Sequence, residues 1–357
     1  HYAAVIGSAL IGMYAVRRVM TRRTLLYLWM IVGVASTMLV GTLQTNSQPW
    51  FFLTALTLGI SLGLGFPSCL AYFAEYGATE QRGRIGGLTF CIAGLGIFFA
   101  GLLTVLSPTL LESIIVLAGW RLAGLFIFAF VQPHSPEAKK DTDVSYRDIL
   151  NERSFMLYLV PWLMFGLVNY LESPILSSSM GQSFSNFVPV AEFGVGSIVA
   201  LVGGFFSDIV GRKRIIIFGF VMLGIGYAAL GLFPKNIISR YFYVAVDGVA
   251  WGILALMFFL ILWGELAENR VKDKYYFLGV LPFLISSYLE IIATPFVASI
   301  PVEASFSLAS FFLFVAVLPL MFAPETLPQK NIELRRLKSY LDSAKRLREK
   351  ASEEKQS

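Results

Sequence analysis

A chain of 357 residues in which 56% are hydrophobic and only 14% charged does not have the composition of a soluble domain, where about a quarter of the residues carry charge. The net charge of +5 invites a nucleic-acid partner, but the basic residues sit in alternate short loops without a basic RNA-binding motif, which argues against that class. With two histidines and two cysteines in all, and Cys69 and Cys91 inside apolar runs, the sequence also argues against a histidine metal site, a histidine proton relay and a disulfide framework.

Apolar runs of about 20 residues let a helix cross hydrocarbon with every backbone group bonded internally. Eleven are expected, at about 2–16, 24–43, 50–73, 85–106, 110–132, 155–178, 187–206, 213–233, 241–263, 275–298 and 304–323. Of the 28 Lys and Arg, 25 lie in 17–23, 82–84, 139–153, 212–214, 270–274 and the C-terminal tail. The opposite loops hold Lys235 and Arg240, and Arg121 is alone within a span. That asymmetry predicts cytoplasmic basic loops, a cytoplasmic C-terminus and residue 1 outside.

The loops carry the motifs. The first basic loop reads Gly12-Met-Tyr-Ala-Val16-Arg17-Arg18. The third span ends in Glu75 with Arg82 seven residues later, and the ninth ends in Glu265 with Arg270 five later, so the two parts of the chain echo each other. Arg121, which follows Trp120, lies twelve positions before Pro133, too few for a span that opened there to cross. Either that span starts earlier and Arg121 lies deep, or the segment is short and tilted; a structural tie across the N-terminal bundle is the favoured role for Arg121. Residues 204–213, Gly204-Phe-Phe-Ser-Asp208-Ile-Val-Gly211-Arg212-Lys213, fill every fixed position of the pattern G-x-x-x-D-x-x-G-R-[RK]. The stretches Pro133-His-Ser-Pro136-Glu137 and Pro324-Glu325-Thr326 follow the fifth and the last span.

These motifs resemble those of the major facilitator superfamily of secondary transporters, in a prokaryotic form. The pattern at 204–213 is similar to its cytoplasmic loop signature, and the two proline-glutamate sequences look like those closing the halves of sugar porters and their relatives. The resemblance implies an all-α membrane fold of two pseudo-symmetric six-helix bundles. The expected division is an N-terminal bundle at 1–132, a cytoplasmic linker at 133–154, a C-terminal bundle at 155–326 and a charged helical tail at 327–357. The tail carries Leu334, Leu337, Leu341 and Leu347 as an amphipathic face. The family has twelve spans with both ends inside, and this chain begins with His1, so its first family span is expected to be missing.

The resemblance further implies that Asp208 binds the start of the helix at 85–106 when the cytoplasmic side is shut, with Arg212 pairing with Glu265. Gly204, Asp208, Gly211, Arg212, Lys213, Glu265, Glu75 and Arg82 are the expected latch. The departures concern subfamily: Val16 replaces the aspartate in the first loop, and Ala55 stands near an arginine of many proton-coupled members. The span at 85–106 lacks the proline-bearing glycine motif of drug antiporters, and the span at 155–178 lacks the glutamine-rich sequence of sugar porters.

Four acids lie inside spans: Glu172, Glu192, Asp247 and Glu290. A charge at mid-bilayer costs about 2.5–3.5 kcal/mol on insertion scales, so such residues face a cavity or a partner. At 1.5 Å rise per residue all four fall about 4–9 Å outside the midplane. In the family these spans line the central cavity. Asn169 shares a face with Glu172; Tyr243, Asp247 and Trp251 form one stripe, and Ser286, Glu290 and Thr294 another. Aromatic and carboxylate groups on one wall suit a cation. Four crowded carboxylates cannot all be ionised cheaply, so at least one is expected to be proton-linked; the alternative is hydrogen-bonded helix glue.

The expected function is a secondary transporter in the cell membrane, a symporter or antiporter moving a small organic solute and protons by alternating access, as a monomer. No enzyme activity, metal or cofactor is expected. The rivals are a membrane-embedded enzyme, which would need a concentrated set of catalysts, and a non-transporting receptor on the same scaffold.

Overall fold

A computed structural model describes residues 1–41, 48–76, 79–106, 109–131, 142–297 and 299–327. The proline-glutamate stretch at 133–137, most of the predicted linker and the leucine-bearing tail lie outside the described residues. The described chain is helical, without a β-strand. Its long helices, labelled here in chain order, are α1 Tyr2–Arg18, α2 Arg22–Val40, α3 Gln48–Tyr76, α4 Arg82–Leu106 and α5 Leu110–Val131. They continue with α6 Arg153–Met180, α7 Gln182–Val210, α8 Arg212–Leu232, α9 Ile237–Leu266, α10 Lys272–Val297 and α11 Val302–Phe322. Ten are long and apolar enough to cross a membrane; α1 has 17 residues.

Local chemistry sets the ends. Thr21 and Asn236 accept hydrogen bonds from the backbone N–H groups of Thr24 and Ile238, capping α2 and α9. Gly211 has φ +107°, a conformation L side chains rarely adopt, and so lets α7 stop and α8 start within one residue. Inside two spans the helix departs from a plain α-helix. Residues Leu64 and Gly65 interrupt α3 between Gly63 and Phe66, with Pro67 unable to donate to the preceding turn. Residues Leu256–Ile261 form a π-helical segment in α9. Because α5 begins at Leu110, Arg121 lies midway along it; the span starts earlier than a short, tilted segment would.

Packing follows the small residues, which let backbones approach. Gly83, Gly87 and Gly94 on α4 face Gly204, Ala200 and Ser197 on α7. A Cβ on Gly87 would come within 2.6 Å of the Ala200 carbonyl oxygen. On the other side of α7, Gly196 meets Gly252 of α9. A fully buried aromatic stack of Trp162, Phe165 and Phe258 fills the space between α6 and α9. Large apolar side chains such as Phe51, Phe130, Ile238 and Phe322 point outward, as a lipid-facing surface requires. In chain order α1–α5 make a first group and α6–α11 a second, and α4 against α7 is the most extensive seam between them among the described residues.

Candidate functional site

Two polar networks stand out against this apolar background, one on the face of the basic loops and one in the opposite half. On the basic face, Asp208 near the end of α7 is fully buried. Its carboxylate accepts the backbone N–H of Gly83 at 3.0 Å and of Arg84 at 2.9 Å. Those are the orphan donors at the start of α4, where an acid also meets the positive end of the helix dipole. Arg212, fully buried, donates to Asp208 at 2.6 Å and to Ser207 Oγ at 2.9 Å. Its Nη2 also lies 3.2 Å from Glu265.

Glu265 lies 3.7 Å from Arg82 and accepts the Thr326 hydroxyl at 2.5 Å. Gly204 lies so close to Gly83 that a Cβ would strike its carbonyl oxygen. Every residue of the expected latch is on this face, but Glu75 and Lys213 have other partners. Glu75 accepts from Arg22, which also binds Asp273 at 2.6 Å, and Lys213 Nζ caps the end of α11 at the Met321 and Ala323 carbonyls, 3.3 and 3.0 Å away.

Further residues join this network without a strong signal in the sequence. Glu325 accepts the backbone N–H groups of Arg212 at 2.7 Å and Lys213 at 3.2 Å, capping α8; the proline-glutamate-threonine motif pointed to the stretch but not to that role. Asp273 accepts Ser68 Oγ at 2.7 Å. Outside the spans, hydrogen bonds from Arg17 and Lys274 hold the Asp143 carboxyl below the usual range. Burial opposes ionisation of Glu152, but the Tyr275 and Ser154 hydroxyls and the Arg270 guanidinium outweigh it and lower its pKa. The backbone of Thr142 bonds Asn269 and Val271, so the end of the linker is strapped to the loop before α10.

In the opposite half, Glu172, Glu192 and Asp247 each bring a carboxylate oxygen within 4.8 Å of the others. Tyr243 donates to Glu172 at 2.5 Å, and Tyr227 donates to the other Glu172 oxygen. Tyr227 sits on α8, a helix without an acid near its centre, which is why its role did not show in the sequence. The Tyr243 hydroxyl is also 3.4 Å from Asp247, but its one proton goes to the nearer Glu172 oxygen. Asp247 is fully buried and its Oδ1 has no hydrogen-bond partner among the described residues. Carboxylates this close require positive charge between them, as a proton or a cation. Hard oxygen donors of this kind are also the set that could hold a metal ion, a possibility that reading the histidines alone did not raise.

Glu172 and Glu192 open on a cavity of about 190 Å³ whose wall includes Asn169, Ser173, Val188 and Glu290. Glu290 is half-buried and lies on this wall rather than in the carboxylate cluster. Two sequence expectations change here. Asp247, Tyr243 and Trp251 stand behind the wall, Trp251 donating to Asn169 at 2.7 Å. Ser286 is buried against Gly166 of α6 and does not line the cavity, because the α10 face that carries it turns into the α6 interface. The wall comes from α6, α7 and α10, and Tyr2 of α1 lies beside α10 with its hydroxyl 2.5 Å from Ser287.

In the first group of helices, Arg121 donates to the Gly33 carbonyl at 2.5 Å and Ser61 Oγ at 2.9 Å, joining α2, α3 and α5.

Comparison with known proteins follows the same line. The chain resembles the crystal structure of the human organic anion transporter MFSD10 (TETRAN), with TM-score 0.67 and 14% identity over 89% of this chain and 81% of that one. It also resembles the proton:xylose symporter XylE bound to 6-bromo-6-deoxy-D-glucose, with TM-score 0.68 and 17% identity over 91% and 85%. No curated protein sequence matches it. The model of the Major Facilitator Superfamily matches residues 2–275. With that match spanning most of its length, the chain belongs to the major facilitator superfamily and is a multi-pass membrane protein of that transporter family.

Proposed function

We propose that this protein is a secondary active transporter that moves a small organic solute bearing positive charge, by alternating access and with proton linkage at the Glu172–Glu192–Asp247 cluster. The observation that carries this reading is the crowding of three carboxylates within 4.8 Å at the edge of a cavity, while on the opposite face Asp208, paired with Arg212, ties α7 to the start of α4. Such a cluster needs positive charge, and a site that alternates between a proton and an amine meets that need in both loaded states. The excess of Lys and Arg on the latch face supports placing it, with the C-terminus, in the cytoplasm of a cell-membrane protein. In that orientation the cavity faces outward. Residues 1–132 and 155–326 then act as the two rocking bundles, joined by the linker at 133–154, with the tail at 327–357 on the cytoplasmic side.

The test is transport by the purified chain in liposomes carrying a pH gradient. The probes are tetraethylammonium, choline and spermidine, with xylose and lactate as uncharged and anionic controls. Movement of a cationic probe that depends on the pH gradient and is lost in Asp247→Asn supports the reading. Movement of only neutral or anionic probes, or none by a folded protein, overturns it; the last outcome favours a receptor.

A further inference from the structure

The first basic loop lacks the aspartate that its counterpart at 208 provides, yet the structure does not leave that side of the basic face unlatched. The two halves correspond helix for helix. Arg22 is the first residue of α2 as Arg212 is of α8, and Glu75 ends α3 as Glu265 ends α9. Each arginine meets the glutamate of its own half. In the second half the third member is Asp208, which ends α7 and binds the start of α4 across the seam. In the first half the equivalent place at the end of α1 is Val16, which cannot accept a hydrogen bond.

The carboxylate is instead on the other side of the seam. Asp273 is in the first turn of α10, the counterpart of α4, and is buried. It accepts Arg22 Nη2 at 2.6 Å and Ser68 Oγ of α3 at 2.7 Å. Arg22 is thus shared between Glu75 in its own group of helices and Asp273 in the other. Beside it, Arg17 next to Val16 reaches Asp143 at 2.9 Å, which reaches Lys274 at 2.7 Å.

We infer that Asp273 is the relocated carboxylate of a second latch, so that Arg22, Ser68 and Asp273 hold the start of α10 as Asp208 holds the start of α4. The difference is one of polarity. At the 208 side an acid crosses to backbone donors, whereas at the 273 side an arginine and a hydroxyl cross to an acid. Arg22, Ser68 and Asp273 are positioning residues: they set the population of the shut basic face and do not meet the solute. This inference rests on the alternating-access reading.

The test is spin-label distance measurement on the purified chain, with Cys69 and Cys91 replaced by Ala and labels on Arg18→Cys and Glu268→Cys, both exposed positions on the basic face. Asp273→Asn is expected to lose the short-distance population that the parent shows. Val16→Asp added to Asp273→Asn is expected to recover it, because in the correspondence of the two halves position 16 stands to α10 as Asp208 stands to α4. A merely structural role for Asp273 gives no recovery, and that result overturns the inference, as does an unchanged distance in Asp273→Asn. Should Asp273→Asn not fold, Ser68→Ala reads the same contact: a partial loss of the short population supports the latch and an unchanged one overturns it. If Asp208→Asn widens the distance and Asp273→Asn does not, this inference alone fails. If neither substitution moves it, the alternating-access reading fails with it.

Discussion

The carboxylate of Asp208 on α7 lies 2.9 Å from the backbone N–H of Arg84 on α4, so the α4–α7 seam ends in a charge-assisted helix cap. An acid at a helix start contributes about 0.3–1 kcal/mol. Here it also neutralises Arg212, and removing one partner of a buried pair costs about 3–5 kcal/mol. Asp208→Asn is therefore expected to insert normally but to depopulate the shut state, by about tenfold in the equilibrium for each 1.4 kcal/mol lost, and so to slow transport. Uptake rates normalised to surface-biotinylated protein check this; unchanged transport removes Asp208 from the latch.

The seam itself depends on having no side chains where the backbones meet. A Cβ on Gly87 would approach the Ala200 carbonyl oxygen to 2.6 Å, inside van der Waals contact, and neither partner is a flexible side chain. Gly87→Val should hold α4 and α7 apart. Thiol labelling of a cysteine at Ser197, which Gly94 covers in this state, is expected to rise severalfold in that variant. Labelling equal to that of the parent would show that the seam tolerates the branch.

Glu290 is separate from the cluster although it shares the cavity wall. Glu290→Gln is expected to raise KM for a cationic probe while leaving the pH profile of transport in place. Glu192→Gln and Asp247→Asn are expected to flatten the profile. A flattened profile in Glu290→Gln assigns the proton step to the wrong acid.

Much of this was legible in the residues, for physical reasons. Hydrophobic run lengths located the helices to within a few residues because each must span the same hydrocarbon thickness. The G-x-x-x-D-x-x-G-R-K pattern singled out Asp208, Gly211 and Arg212 through its resemblance to the family's loop signature, and the structure gives Gly211 the positive φ that lets one helix end and the next begin there. The π-helical segment of α9 was not legible, since no Gly or Pro marks Leu256–Ile261, and the interruption of α3 beside Pro67 was not read from that proline. Rotation about α10 could not be read from a stripe either, which is why Ser286 was expected on the cavity wall. Tyr227 and Asp273 escaped notice for the same reason: a tyrosine in a span or an acid in a first helical turn is ordinary until its partner comes into view.

On the basic face, Glu152 is held below its ordinary pKa, burial opposing and the Tyr275 and Ser154 hydroxyls and Arg270 prevailing. A depressed carboxylate contributes stability above its unfolded pKa of about 4.3 and loses it as pH falls through the folded value. Its side chain is 27% exposed, so the contribution is under about 1 kcal/mol. Glu152→Gln should therefore lower Tm slightly at neutral pH and narrow the gap to the parent below about pH 4. A constant gap across that range would show that the Arg270–Tyr275–Glu152 relay does not favour the ionised form.

The claim on which the mechanism rests is that positive charge, supplied by a proton when no solute is bound, holds Glu172, Glu192 and Asp247 together. Infrared difference spectroscopy of the purified chain in metal-free buffer at neutral pH reads it directly. The account predicts a deuterium-sensitive band of a protonated carboxylic acid that disappears in Glu192→Gln with Asp247→Asn and survives Glu290→Gln. A parent spectrum without that band, or a band that persists in the double variant, would contradict it.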